Sequence, residues 1–499
     1  MAAADRLTAL DTSFLHIEDA GHAHMHVAGV LIFEGDPPAY DDLLRGFAAK
    51  LHLVPRYRQR LAFVPGGQAR PVWIDDAHFD LRYHVRRTAL PSPHSEAELA
   101  ILAGRVFSQR LDREKPLWET WLVENLEGGR FALLTKTHHC LVDGISGVDI
   151  TTVLFDLDPN AALPTEVQPW TPRPTPSGAG LIAQGARDAV GGVLGMAGSA
   201  TRLLTSPRSL GDRAATAAAG VGALVGQQLD PAPDTPYNVG IGPHRRFAWQ
   251  RASLAEVKAI KNALGGTVND IVLASVSGMI RRHLEARGEE IPETIRLMVP
   301  VSVRTSEERG ALGNRVTSVF PDLPLAEPDP LIRLSRISAT MDAVKRSKKA
   351  LGAQFLVDLV GFAPPTIMAL GARSFSSRRM FNLTVTNVPG PQFPIYMAGS
   401  RLVDLLPMVP LAEDHALGVA VMSYDGGLDF GLIGDADAMP DIDSLPAHLE
   451  ASIAELAALA GVAHGRREAA TTGAGARQHR RPARGGGARR ARKGSRAAS

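Results

Sequence analysis

Arg130-Phe131-Ala132-Leu133-Leu134-Thr135-Lys136-Thr137-His138 runs directly into His139-Cys140-Leu141-Val142-Asp143-Gly144. The first nine residues follow a Gly128-Gly129 turn and predict a largely buried strand that stops at a pair of histidines. A helix is predicted to begin near Ile145. Side chains alternate across a strand, so extended geometry through the pair would send His138 and His139 to opposite faces, with only one of them facing a reaction cavity.

A neutral imidazole, with an ordinary pKa of about 6.5, can take a proton from an alcohol and return it to a leaving thiolate. Asp143 can cap the following helix or pair with an arginine, and Gly144 permits a tight turn or close substrate approach. The same residues also suit a packed, hydrogen-bonded cluster, so the motif by itself leaves catalytic and structural uses open. Metal ligation is disfavoured, because adjacent histidines on a strand diverge and no third ligand has a recognisable spacing.

Outward from this motif, the chain reads as alternating strands and helices. Pro164 to Pro176 (PTEVQPWTPRPTP) cannot form a regular element and reads as a linker or surface strap. Gly178 to Gln228, rich in Ala and Gly, predicts two modest helices. Ser253-Leu-Ala-Glu256 is a capping box for a helix ended by Gly265-Gly266, Ile271 to Leu284 predicts another helix, and Ile295, Leu297, Val299, Val301 and Val303 alternate as a strand. The expected organisation is an N-terminal unit over 1–164, a Pro-rich and helical linker over 165–235, a second unit over 236–464, and an Arg-rich tail over 465–499.

The 499 residues carry a net charge of +2 that hides an asymmetry. From Gly465 to Ser499, ten Arg and Lys493 against Glu468 give +10, which leaves −8 on the rest. The tail has almost nothing apolar to bury and is expected to be disordered, either as a solvated terminus or as a segment touching anionic headgroups or nucleic acid. A single cysteine, Cys140, excludes an intramolecular disulfide framework and every multi-thiolate zinc pattern, which fits a reducing, cytoplasmic compartment. The opening Met1-Ala-Ala-Ala-Asp5-Arg6 carries no secretory pattern, and the apolar stretches are broken by charges or by Pro364-Pro365, so no transmembrane helix is expected.

HHCLVDG resembles the HHxxxDG motif of the coenzyme A-dependent acyltransferase superfamily, and its surroundings resemble the bacterial wax ester synthase/diacylglycerol acyltransferase family. Pro116-Leu117-Trp118 matches that family's PLW motif, and LDTSFLHIEDAGHAHMHVAGVLIFEG, from Leu10, resembles its opening segment. NVGIGPHRRFA, TVNDIVLA, VPVSVR with GNRV, and NVPGP followed by SYDGGLDFGL resemble its second half in the same order. The likeness spans about Leu7 to Gly461 and excludes the tail.

The resemblance implies an α/β fold of two chloramphenicol acetyltransferase-like subdomains, with mixed sheets flanked by helices and a tunnel between them. It implies direct transfer from acyl-coenzyme A, a cosubstrate rather than a bound cofactor, to a diacylglycerol or a long-chain alcohol. His139 would be the general base, beside His138, Asp143 and Gly144. Asn269 is a candidate oxyanion donor or else a helix N-cap, and Asp270 orders the helix start or its loop. Arg245 and Arg246 are candidate phosphate contacts, or carboxylate-paired surface residues. Pro116, Leu117 and Trp118 wall the tunnel or fill the core. Peripheral contact with the inner membrane or lipid inclusions is expected, and no specific nucleic acid. Two rivals are a carrier-protein-dependent condensation-type acyltransferase and a non-catalytic lipid-binding protein.

Overall fold

The computed structural model describes residues 5–19, 21–67, 69–142, 154–162, 164, 167–187, 231–302, 316–346 and 380–465. Asp143, Gly144, Arg304, the Gly313–Arg315 part of GNRV, most of the Ala- and Gly-rich stretch and the tail beyond Gly465 lie outside the described residues. Of that stretch, 178–187 are described and helical.

The first part of the chain supplies strands β1 (Asp5–Arg6), β2 (His26–Glu34), β3 (Gln59–Ala62), β4 (Val72–Asp75), β5 (Val85–Ala89), β6 (Trp118–Leu126) and β7 (Arg130–His138). The second supplies β8 (Arg245–Ser253), β9 (Thr294–Ser302), β10 (Val316–Val319), β11 (Asp322–Pro324), β12 (Leu383–Pro389), β13 (Tyr396–Met397), β14 (Ser400–Met408), β15 (Leu417–Tyr424) and β16 (Gly427–Asp435). The helices are α1 (Ala9–Glu18), α2 (Tyr40–Lys50), α3 (Leu81–His84), α4 (Glu96–Ser108), α5 (His139–Val142), α6 (Leu254–Leu264), α7 (Val268–Arg287), α8 (Pro330–Arg346) and α9 (Leu445–Leu459).

Strand β7 has the expected bounds, and both of its faces are covered. Phe131 and Leu133 join one apolar cluster while Ala132 and Leu134 join another, which is why the run reads as nearly continuous rather than alternating. It lies inside a six-stranded mixed sheet ordered β13-β14-β2-β7-β6-β5, parallel only between β5 and β6. Strand β14 enters this sheet from far along the chain, setting Leu405 opposite Leu31 and Leu406 opposite Val30.

The second, seven-stranded sheet runs β10-β9-β12-β15-β16-β8 with β11 beside β9, and is parallel where β12 meets β15 and β9. Helix α7 packs on it through Ile271, Val272, Val276, Met279 and Ile280, all fully buried. An apolar cluster between the two sheets holds Val30, Ile32 and Leu134 from one and Phe247, Ala420 and Ile433 from the other. A small third sheet, β1-β4-β3, packs Val64, Val72 and Ile74 against Leu181.

The expected helices form where local chemistry starts them. Ser253 accepts the Glu256 N–H at 3.3 Å to open α6, and Gly265, at φ 90°, closes it. Helix α7 begins at Val268, earlier than Ile271, because Thr267 is its cap and Asp270 completes the capping box. Ile145, where a helix is expected to begin, lies outside the described residues, but a helical turn already opens at His139, so the two histidines part company because a strand gives way to a helix between them. Among the described residues no single helix is long and apolar enough to cross a membrane.

Candidate active site

His138 ends β7 directly opposite His26 of β2, and its ring is fully buried. Its backbone N–H donates to the Leu117 carbonyl at 2.9 Å, and its Nδ1 accepts the Cys140 N–H at 3.2 Å. His139 opens α5, with its own N–H held by the Met25 carbonyl at 2.7 Å and its half-buried ring 4.4 Å from that of Phe14. The turn carrying His139 is therefore clamped from the residue that precedes β2, from the PLW segment and from within.

Behind the pair lies Glu18, the last residue of α1. Arg113 donates to its Oε2 through Nε at 3.1 Å and Nη2 at 2.6 Å. His26 Nε2 stands 3.3 Å from Oε1, and His138 Nε2 stands 3.6 Å from Oε2. Burial works to raise the Glu18 carboxyl, but His138 and then His26 outweigh it and hold the group well below the usual carboxylate range. Burial lowers His26 to about 4 and His24 to about 3, keeping both rings neutral near pH 7. Cys140 is buried and its thiol is pushed up, chiefly by desolvation, which makes it inert.

Leu117 and Trp118 are core residues. Trp118 stacks on Tyr57 at 4.5 Å and on His84 at 4.6 Å, and its Nε1–H donates to the Tyr57 carbonyl at 2.8 Å. Pro116 and Trp118 border a cavity of about 220 Å³ shared with Arg86, Arg110 and Glu119, whose charges suit no acyl chain.

Asn269 is not the N-cap, since Thr267 fills that place. It sits in the first turn of α7, where its Oδ1 accepts from Asn387 Nδ2 at 3.2 Å. Asn387 pairs in register with Val421, and the next residue, Met422, packs on the cluster containing Cys140 and Leu141. Asp270 is buried and accepts the Thr267 N–H at 2.8 Å, which is the helix-start role expected of it.

Of the two readings of the arginine pair, the structure displays the carboxylate-paired one. Arg245 is buried, donates to the carbonyls of Gly242 and His22 at 2.6 Å each, and pairs with Asp435. Arg246 reaches out, but to Asp443 and the Pro440 carbonyl. Both charges are thus answered by the protein itself.

Glu18, Arg113, His26 and Phe14 were not singled out from sequence. The one available signal was an acid in an apolar helix followed by His22, His24 and His26 at alternating positions, which invites the question of what the inward ones meet. Among the described residues no group of three or more His, Cys, Asp or Glu is arranged to hold a metal ion.

Two facing mixed sheets define a fold class shared with solved condensation domains. Those of rhizomide synthetase and of the calcium-dependent antibiotic synthetase are 14% and 15% identical, with TM-scores of 0.57 and 0.58, each covering 93% of this chain and 96% and 98% of their own. The chain belongs to the wax ester synthase/diacylglycerol acyltransferase family. The family's catalytic domain matches residues 7–272 and its C-terminal domain residues 312–457. A protein of Mycobacterium bovis named as a diacylglycerol O-acyltransferase is 35% identical over 464 residues, covering 91% of this chain and 98% of that one. One of Mycobacterium tuberculosis is 36% identical, covering 90% and 99%. The wax ester synthase/diacylglycerol acyltransferase structure from Marinobacter aquaeolei is 28% identical, with a TM-score of 0.64, covering 92% of this chain and all of that one. The protein is an acyltransferase of triacylglycerol or wax ester synthesis, and neither the condensation-type nor the non-catalytic alternative is favoured.

Proposed function

We propose that the protein passes a long acyl chain from acyl-coenzyme A to the hydroxyl of a diacylglycerol or a long-chain alcohol, with His139 as general base. One observation carries the reading: His138 is locked inside the sheet, whereas His139 is half-buried on a turn held from three sides. As the acceptor oxygen attacks the thioester carbonyl, its proton passes to His139. Collapse of the tetrahedral oxyanion breaks the C–S bond, and the protonated imidazole returns its proton to the departing thiolate.

Asn269 supplies a donor for the oxyanion in this reading. With its Oδ1 accepting from Asn387, its NH₂ is the end directed elsewhere. Asp143 and Gly144 complete the motif by family likeness. The tail's +10 charge suits contact with anionic lipid, consistent with a protein resting on the inner membrane or on lipid inclusions.

The test pairs the wild type with His139→Ala on palmitoyl-CoA plus hexadecanol or dipalmitoylglycerol, following thiol release and ester together. The variant should lose at least about 100-fold in rate. A wild type that makes no ester would remove the lipid-acceptor reading, and a variant that keeps its rate would remove the base assignment.

A further inference from the structure

Glu18 is a charged side chain only 3% exposed, on a helix that also buries Asp11, Thr12 and Leu15, and burying a carboxylate is costly unless it is paired and bonded. Arg113 answers the charge, yet the carboxylate is also turned toward two histidines. The contact with His138 bears on chemistry.

Cys140 is the second residue of α5, and its N–H donates to His138 Nδ1 at 3.2 Å. The His138 ring is thus the N-cap of the helix that opens with His139. An imidazole nitrogen accepts only when it carries no proton, so the neutral ring must hold its proton on Nε2. Nε2 faces Glu18 Oε2 at 3.6 Å, and an ionised carboxylate only accepts. The carboxylate therefore favours the one tautomer that leaves Nδ1 able to cap. Arg113, with two donors on the same Oε2, fixes where that oxygen lies.

We infer that Glu18 is a positioning residue for acyl transfer: it sets the Nε2–H tautomer of His138, which keeps Nδ1 as the cap of the turn that aims His139. The inference rests on the reading of His139 as the base. A plain Glu18–Arg113 ion pair would stabilise the fold without singling out His138.

The experiment is a double-mutant cycle on the full chain, with Glu18→Gln, His138→Asn and the pair, alongside Glu18→Asp and His139→Ala. Glu18→Gln should lower kcat by about 10- to 100-fold, with KM for palmitoyl-CoA within about twofold, and Glu18→Asp should recover part of the loss. An asparagine oxygen caps without needing a tautomer, so in the His138→Asn background Glu18→Gln should change kcat by less than about twofold. An equal loss in both backgrounds, or a wild-type kcat in a normally melting Glu18→Gln, overturns the inference. If Glu18→Gln does not fold, ¹⁵N-histidine NMR of the wild type decides, with His138→Asn identifying the resonances: an Nε2–H ring at position 138 supports the role and an Nδ1–H ring overturns it. An active His139→Ala would instead bring down the general-base reading, whereas an inactive one beside a fully active Glu18→Gln would leave that reading standing and remove this one.

Discussion

A Cβ built on Gly431 would lie 1.7 Å from the carbonyl oxygen of Pro407, so strands β16 and β14, one from each sheet, cross backbone against backbone. No rotamer relieves a clash between a Cβ and a main-chain oxygen. Gly431→Ala should destabilise the protein by about 3 kcal/mol, at the upper end of overpacking costs, measured by urea denaturation. A variant as stable as wild type would show that the sheets do not meet there.

Trp118 belongs to the core by its contacts, which separates its effects on stability from those on turnover. Trp118→Phe keeps the stacking but strands the Tyr57 carbonyl, and should cost about 1–2 kcal/mol while KM for palmitoyl-CoA stays within twofold. A raised KM at unchanged stability would return the residue to the substrate path.

Arg246→Ala should leave KM for palmitoyl-CoA unaltered, because that arginine is occupied by Asp443 and Pro440 at the surface. Arg245→Met should fold poorly, losing on the order of 3 kcal/mol, since it leaves the buried Asp435 charge with backbone N–H donors but no cation. A several-fold rise in KM for Arg246→Ala, with melting unchanged, would restore it as a coenzyme A contact.

Asn269→Ala should lower kcat by about 100-fold or more if its amide meets the oxyanion, and Asn387→Ala, which only orients that amide, should lower it less. Steady-state kinetics at saturating acyl-CoA separates the two. Equal and small effects would mark the pair as packing alone.

Stability should fall on acidification well before the carboxylates titrate. His26, His84 and His415 are lowered to about 4, and His24 to about 3, from an ordinary 6.5, with burial the largest cause in each. Unfolded, these rings take protons near pH 6.5, while folded they do not until about pH 4 or below. Their stabilisation is therefore complete above pH 6.5 and is lost as pH falls through the folded values. The melting temperature should drop steeply between pH 6.5 and 4, and His415→Gln, whose amide can still donate to the Phe381 carbonyl, should make the drop shallower. A flat profile over that range would show the rings are not held neutral.

Much of this was written locally in the chain. Strand β7 announced itself by composition and by the turn before it, and α6 by Ser253 and Glu256, because caps and periodicity act over a few residues. The histidine pair stood out for the same reason. What the sequence hid was tertiary. Glu18 acquires its meaning from residues 26, 113 and 138, and no spacing encodes such a meeting. Arg245 looked like a surface cation because nothing near it in sequence reveals the His22 carbonyl or Asp435. Asn269 looked like a cap because the true cap, Thr267, is two residues earlier and equally eligible.

Strand β14 carries one further consequence, for synthesis on the ribosome. The edge of β2 that it covers is made early, and Ser400 emerges 366 residues after Glu34. Throughout that interval the nascent chain holds an apolar sheet with one unpaired edge, a template for wrong partners. A chain truncated before Ser400, or cut at the proline-rich stretch and expressed as two pieces, cannot finish its first sheet from its own residues. Mispairing with neighbouring nascent chains during that interval rises with their number, which favours sparse initiation over crowded expression.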